Sequence, residues 1–369
     1  MSGACEVKVR DLVASLADRF PLEWAEPWDA VGLRVGDHDE CVSRVFVTLD
    51  ADIRAVEAAH DTGCDTLVTH HPPFLGPVES VTGDSAEGRF ILAAARRGIA
   101  VISMHTNLDR SPDGGDALPL LLGLVPERPL EESVAEVDVV TVFVSPEARA
   151  EVATAMAAAG GGRIGGYEAC SFTGTGEGRF TPRVDARPAT GRGGPSVEFE
   201  DRLEMVVPVG ASSAVVAAAR VAHPYEEPVI IISRARLSRG VARLGRLCSL
   251  EMTQLGALAA SVGERLGVLP RVWGDPALHV GRVAVANGSG GSLVGAAIAS
   301  GAQAMIVGEV RYHDAMAALG AGLALVEAGH DATEWPLVDV LAHECRVVLG
   351  DAGVVQAEAG VGWWTVERA

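Results

Sequence analysis

Lysine is almost missing from this chain: Lys8 is the only one, and every other basic residue is arginine. With abundant Ala, Gly and Val, this reads as genome composition and carries little about function. Positive charge as a whole is scarce. The 30 basic residues face 49 acidic ones, for a formal net charge of −19 and a pI near 4.9. A nucleic-acid footprint needs clustered positive charge, so no nucleic-acid partner is expected. Anionic membrane surfaces are disfavoured for the same reason. An anionic small substrate stays open, because bound metal ions would supply local positive charge. No cysteines are paired as C-x-x-C; the six are Cys5, Cys41, Cys64, Cys170, Cys248 and Cys345. That excludes a zinc ribbon or a dithiol redox motif. It predicts reduced, structural thiols with no disulfide, as in a reducing compartment. No apolar run is long enough for a bilayer. Glu6, Arg10 and Asp11 stand where a signal peptide needs an apolar core. The expectation is a soluble, cytoplasmic protein with no membrane partner.

What is present is globular: 369 residues, 48% hydrophobic and 21% charged, too long for one typical domain. The stretch Thr66-Leu67-Val68-Thr69-His70-His71-Pro72-Pro73 organises the rest. A short apolar run reads as a buried strand, and it stops at two adjacent histidines and two prolines. Ligands gather where such strands end in open α/β sheets. The two imidazoles are either metal ligands or plain loop residues.

The surrounding order is strand, helix, strand, helix, strand. Val45–Leu49 is a β-branched strand ending in Asp50, and a helix follows with Ile53, Val56 and Ala59. Glu87–Arg97 is a further helix, and Gly98–Met104 is a strand that ends in His105-Thr106-Asn107-Leu108-Asp109. This alternation predicts parallel pairing with right-handed crossovers, so both polar clusters fall at one sheet edge. Upstream, Val9–Phe20 has helical spacing and stops at Pro21. The Gly-punctuated segment Glu26–Asp37, with exposed-looking acids, is either a turn and a strand or part of a site.

The C-terminal part repeats the pattern. Val280–Val285 aligns with Val42–Val47, Ala304–Glu309 with Thr66–His71, and Gly322–Glu327 with Gly98–Ser103. Gly301 lies eighteen residues after Val283, as Gly63 does after Val45. The third repeated strand runs into Gly329-His330-Asp331-Ala332-Thr333-Glu334. An internal repeat implies two similar α/β units. If their sheet edges face each other, His70, His71, Asp109, His330 and Glu334 converge. The stretch between the repeats reads as βαββαβ, the split-βαβ, ferredoxin-like order. Its strands are expected at Val137–Val144, Tyr167–Thr173, Gly178–Pro182, Leu203–Val209 and Pro228–Ser233, and its helices at Pro146–Ala159 and Ala211–Ala222. Arg183–Asp201, polar and rich in Gly, Pro and Arg, is expected to be mobile. The fold class is therefore α/β: two units forming one core (1–134 and 237–369) with an inserted ferredoxin-like domain (135–236).

Three imidazoles, one Asp and one Glu make a first shell for two divalent metals, with Zn, Fe and Mn all acceptable. Such a pair acidifies water and clamps an oxyanion. Glu334 is the candidate bridge, four residues after His330 on a shared helical face. His105 and His313 could orient a ligand or move protons, or be hydrogen-bonded loop histidines. His38, His60, His279 and His343 are read as structural or surface residues. In His223-Pro224-Tyr225-Glu226-Glu227-Pro228 the prolines are read as shaping a turn in preference to a second metal site, since only one His is present.

At these residues the sequence resembles the Nif-three-like dinuclear-metal family, the GTP cyclohydrolase I type 2 homologues. The motifs are Trp28-Asp29-Ala30-Val31-Gly32-Leu33, Thr69-His70-His71-Pro72, His105-Thr106-Asn107-Leu108-Asp109 and Gly329-His330-Asp331-Ala332-Thr333-Glu334. The inserted segment resembles the extra domain of the longer bacterial members. The resemblance implies two metal ions on His70, His71, Asp109, His330 and Glu334. It implies a ring-shaped homohexamer and hydrolytic opening of the guanine imidazole ring with formate release. Ala30 stands where the family usually has Asn, and Asp331 where it usually has Tyr or His, which bears on substrate contacts and not on the metal ligands. No P-loop or basic triphosphate cradle accompanies the motifs. The alternative from another class is a metal-binding assembly or regulatory protein whose inserted domain senses a ligand.

Overall fold

The strands Val45–Thr48, Thr66–Thr69 and Ala100–Ser103 are buried along their whole length in a computed structural model of the chain. The structure describes residues 7–131, 134–164, 167–189, 194–238 and 240–359. Apolar letters on both faces suit parallel strands covered on both sides. Helices Ile53–Asp61 and Ala86–Arg97 make the crossovers. Each starts at a side-chain cap, where Asp52 accepts from the Ala55 N–H and Ser85 from the Gly88 N–H. Gly98 closes the second in the left-handed region at φ 63°.

The repeat is structural, and its register is the one read from the letters. Val45 lies opposite Thr66, which lies opposite Ala100, all in parallel. In the second sheet Val283 lies opposite Ala304, which lies opposite Ala324. Each triplet carries an antiparallel edge strand on its third member, Gly32–Val35 in one sheet and Arg271–Trp273 in the other.

Two short strands cross between the halves. Val354–Gln356 pairs with Val45–Thr48 in the first sheet, and Val125–Pro129 extends the second sheet through Arg246–Gln254. Each half lends a strand to the other's sheet, so residues up to 132 and from 241 onward form one compact unit. The helix His330–Leu349 strengthens this exchange. It follows the second sheet, yet Leu337, Val338, Leu341, Ala342 and Cys345 are buried against Val45, Val47, Val68 and Ile102 of the first. Its N-terminus is thereby fixed at the carboxyl ends of both sheets.

Residues 133–240 form a second unit. Its order is βαββαβ, in a four-stranded antiparallel sheet of Phe172–Phe180, Ser196–Pro208, Val134–Val144 and Ile230–Ser238. Helices Arg149–Ala158 and Ser212–Ala222 pack on one face through Val152, Met156, Val215 and Ala219. Two expectations are corrected here. Tyr167–Thr173 and Gly178–Pro182 give way to the single strand Phe172–Phe180. Ser196–Asp201, read as mobile, is instead the start of a thirteen-residue strand. Cross-strand pairing holds these glycine-rich and polar letters in the sheet despite their low strand propensity.

The expectation of no disulfide is also corrected. Cys41 is disulfide-bonded, whereas Cys64, Cys170, Cys248 and Cys345 are free; Cys5 lies outside the described residues. Spacing rules miss this because the cause is tertiary. The N-terminal segment runs antiparallel to the loop, with Lys8 opposite Cys41 and the Val42 N–H donating to Val7 O at 2.9 Å. Burial pushes the Cys248 and Cys345 thiols up to about 12, which makes both inert. No helix among the described residues is long and apolar enough to cross a membrane.

Candidate metal centre

Thr69 shapes the turn that presents both histidines. Its hydroxyl donates to His71 O at 2.8 Å and lies 2.8 Å from Ser103 Oγ on the neighbouring strand. His70 is then wholly buried. Its Nδ1 lies 2.9 Å from Met104 O. A carbonyl can only accept, so Nδ1 carries the proton and Nε2 presents a lone pair. That Nε2 lies 3.7 Å from Asp109 Oδ2 and 3.9 Å from Glu334 Oε1, with no hydrogen-bond partner. Asp109 Oδ1 is likewise buried without one.

The other imidazoles follow the same design. His71 has Nδ1 on Asp50 at 2.7 Å and Nε2 on Glu334 Oε2 at 2.8 Å. His330 has Nδ1 on Glu309 at 3.3 Å and Nε2 on Glu334 Oε2 at 3.1 Å. His105 has Nδ1 on Asp29 at 2.8 Å, and its ring centroid is 5.1 Å from that of His70. An acceptor behind Nδ1 fixes the tautomer and aims the far nitrogen, as in metal-binding histidines. Three sets of potential ligand atoms lie within 4.8 Å of one another: His70, His71 and His105; His71, His330 and Glu334; His70, Asp109 and Glu334. Two buried, unpartnered ligand atoms inside such a cluster fit metal ions well.

The five residues expected as ligands thus come together, with His105 beside them. His313 does not join; it lies on the exposed start of the helix Tyr312–Gly320, its ring 5.8 Å from that of Tyr312. His223 is a turn residue, as expected. Its Nδ1 accepts from the Tyr225 N–H at 3.1 Å and its Nε2 lies 3.0 Å from Phe143 O.

Electrostatics record how tightly the ligands crowd. Burial pushes His70 down to about 3. Burial and then the Glu334 charge push Asp109 up to about 7. For His71 burial works downward, but the carboxylates of Asp50 and Glu334 outweigh it and raise the imidazole to about 10. The hydrogen bond to Glu334 raises His330 to about 9, against burial. Burial works upward on Glu334, yet His330 and His71 hold its carboxyl well below the usual range. Without metal, protons on His71 and His330 balance the buried carboxylates.

Three supporting residues were given no role from sequence. Asp29, in a segment whose acids looked exposed, has a side chain that is 0% exposed. It holds His105 with one oxygen and the Thr106 N–H with the other, at 3.0 Å, and Thr106 Oγ1 donates to that second oxygen as well. Asp50 ends its strand facing His71. Gly288 sits at φ 53°, and a Cβ built there would lie 2.0 Å from Glu334 Oε1 and 3.1 Å from His330 Nε2. The Asn287-Gly288 pair at the end of the strand was the available signal.

A duplicated parallel-sheet unit with a buried His, Asp and Glu cluster at the shared strand ends defines an α/β protein suited to binding metal ions. The chain belongs to the DUF34/NIF3 (NGG1p interacting factor 3) family, whose model matches residues 7–356. A Mycobacterium leprae protein named GTP cyclohydrolase 1 type 2 homolog is 35% identical over 357 residues, covering 94% of this chain and 91% of that one. A Bacillus subtilis protein of the same name is 33% identical over 327 residues, with 86% and 87% covered. Among solved structures, a Bacillus cereus protein related to NIF3 matches with a TM-score of 0.65 at 27% identity, covering 98% and 99% of the two chains.

Proposed function

We propose that this chain is a metal-dependent hydrolase that holds two divalent ions and opens a purine-type ring, with GTP as the first substrate to test. The observation that carries it is the division of Glu334. One of its oxygens lies toward His70, and the other toward His71 and His330. His70 and Asp109 would hold one ion and His71 and His330 the other, with Glu334 between; Zn, Fe and Mn all suit this donor set. Bound there, the ions supply Lewis acidity, polarising an oxygen and acidifying a water. His105 moves the proton at the reacting centre, and Asp29 keeps its imidazole oriented. The relatives' name supports GTP as substrate. Metal-loaded protein is expected to release formate from GTP. Full occupancy with no turnover across a broad panel of cyclic and phosphorylated compounds would leave the metal-binding assembly or regulatory reading in its place.

Metal loading is expected to expel protons. His71 at about 10 and His330 at about 9 are both protonated at pH 7.5 in the metal-free protein, so the ions must displace both protons. Affinity should therefore climb with pH and level off above those values. Calorimetric titration with Zn²⁺ in buffers of differing ionisation enthalpy counts the protons, and zero release would contradict the cluster as described.

Asp29→Ala is expected to lower turnover by roughly 10²-fold or more, the scale of lost acid–base catalysis, with metal content unchanged. Asp29→Asn should restore part of it. Loss of metal in parallel with activity would make Asp29 a support of the ion site instead. The ring-shaped homohexamer belongs to the same proposal, and light scattering of the purified chain should give six times the 38.2 kDa chain mass.

A further inference from the structure

The inserted unit carries its own cavity of about 790 Å³, lined only by its own residues. It lies on the sheet face turned away from the two helices. Val140, Val142, Leu203 and Met205 point toward those helices. Their neighbours Phe143, Glu200 and Arg202, of opposite parity along the same strands, line the cavity.

The strand Phe172–Phe180 explains how the space arises. Its cavity-facing positions read Phe172, Gly174, Gly176, Gly178, Phe180, opposite Glu204, Arg202, Glu200, Glu198 and Ser196 in turn. Three successive inward positions have no side chain, and an aromatic ring stands at each end. A Cβ at Gly176 would meet nothing within 4 Å, so the missing atoms leave open room. At Gly178 a Cβ would lie 2.0 Å from Glu200 Oε2, so that carboxylate rests on the glycine floor. Overhead, the Arg187 N–H donates to Glu226 Oε2 at 3.0 Å, drawing the segment around Arg187 onto the turn that carries Tyr225.

The charges are unevenly matched. Arg202 is held by Glu204 at 2.6 Å and Arg179 by Glu177 at 3.0 Å. The Glu200 carboxylate makes no hydrogen bond or ion pair among the described residues, and the residue is half-buried. Glu227 and the Arg187 guanidinium also line the cavity unpaired, but both are exposed. A flat glycine floor, aromatic walls from Phe143, Phe172, Phe180 and Tyr225, and the half-buried Glu200 carboxylate on that floor select for a flat ring with N–H donors on its edge. The volume is that of a small-molecule site.

We propose that the open face of the inserted sheet is a binding site for a planar heteroaromatic ring bearing N–H donors along one edge, of the kind a guanine base presents. The proposal goes beyond the hydrolase reading and does not depend on it.

Calorimetric titration of the full-length protein with guanosine tests it, the free nucleoside being chosen because it brings no phosphate for the metal centre. Saturable binding of one guanosine per chain is expected. Gly176→Val fills the open room with a residue that favours strands, and should weaken binding at least about tenfold. Glu200→Gln should also weaken it about tenfold, the scale of one charge-assisted hydrogen bond. Glu334→Gln, in the metal cluster, should leave this equivalent bound, removing only any further guanosine taken by the metal centre. No saturation up to about 1 mM, or binding that survives Gly176→Val in a protein with parental melting behaviour, overturns the proposal. Loss of guanosine binding in Glu334→Gln also overturns it, by assigning the nucleoside to the metal centre. Light scattering of Gly176→Val completes the test, since a changed oligomeric state without guanosine binding would give this face to a second copy of the chain.

Discussion

Glu334→Gln is expected to empty both ion positions together. The parent carboxylate offers two anionic oxygens, with Oε2 2.8 Å from His71 Nε2 and 3.1 Å from His330 Nε2, and Oε1 3.9 Å from His70 Nε2. Glutamine keeps the size but presents one neutral oxygen and an NH₂ group that repels a cation. Two cations a few ångströms apart repel strongly, and a shared anion makes their joint occupancy tolerable. Even residues behind a metal ligand cost about 10–100-fold in affinity when changed, so a shared ligand should cost at least about 100-fold. Asp109→Asn should mainly empty the His70 side. The fold should survive both changes, because the sheets and the helix His330–Leu349 are held by apolar packing elsewhere. If Glu334→Gln still binds two equivalents as tightly as the parent, Glu334 is not the bridge, and the ligand set must be redrawn around His105 or Glu309.

Gly288→Val is expected to disable the same centre from a residue that ligates nothing. Two costs combine. A residue at φ 53° stands in the left-handed region, which costs a side-chain-bearing residue about 1–2 kcal/mol. The new Cβ would also sit 2.0 Å from Glu334 Oε1 and 2.8 Å from Glu334 Cδ, so the carboxylate must leave its position. The backbone cannot retreat freely, because the Gly288 N–H is bonded to Thr333 Oγ1 at 3.1 Å, one residue before Glu334. Metal affinity should fall as far as in Glu334→Gln, with a melting temperature lowered by several degrees. Gly295→Ala is the control: its Cβ meets nothing within 4 Å and it lies in the short helix Val294–Ala299. It should leave metal binding unchanged. Parental metal affinity in Gly288→Val would show that the ions do not need Glu334 where it stands.

The two substitutions divide what sequence can and cannot reveal. Glu334 was legible because it follows a strand that repeats an earlier strand, and repeats carry their register with them. Val45, Thr66 and Ala100 and their counterparts Val283, Ala304 and Ala324 pair as the letters aligned. Gly288 was not legible as a site residue, because its role is to lack an atom near a residue 46 positions later. Asp29 was seen but not understood. Its burial depends on Thr106 and His105 arriving from another strand end.

The exchanged strands Val354–Gln356 and Val125–Pro129 are three and five residues long, too short for any hydrophobic period to declare them. Without them the two halves read as neighbours, when they share both sheets. In the inserted unit the order of elements was legible, but the continuity of Phe172–Phe180 was not. Its alternating glycines erase strand propensity on one face, and that same erasure opens the cavity.

Elemental analysis tests the central claim most directly. The protein would be purified without chelator or nickel affinity, then offered Zn²⁺, Fe²⁺ or Mn²⁺ and freed of unbound ion. The cluster of His70, His71, Asp109, His330 and Glu334 predicts two equivalents of divalent metal per chain, falling together to near zero in Glu334→Gln. A folded parent protein that retains less than a small fraction of one equivalent of any of these metals would contradict it.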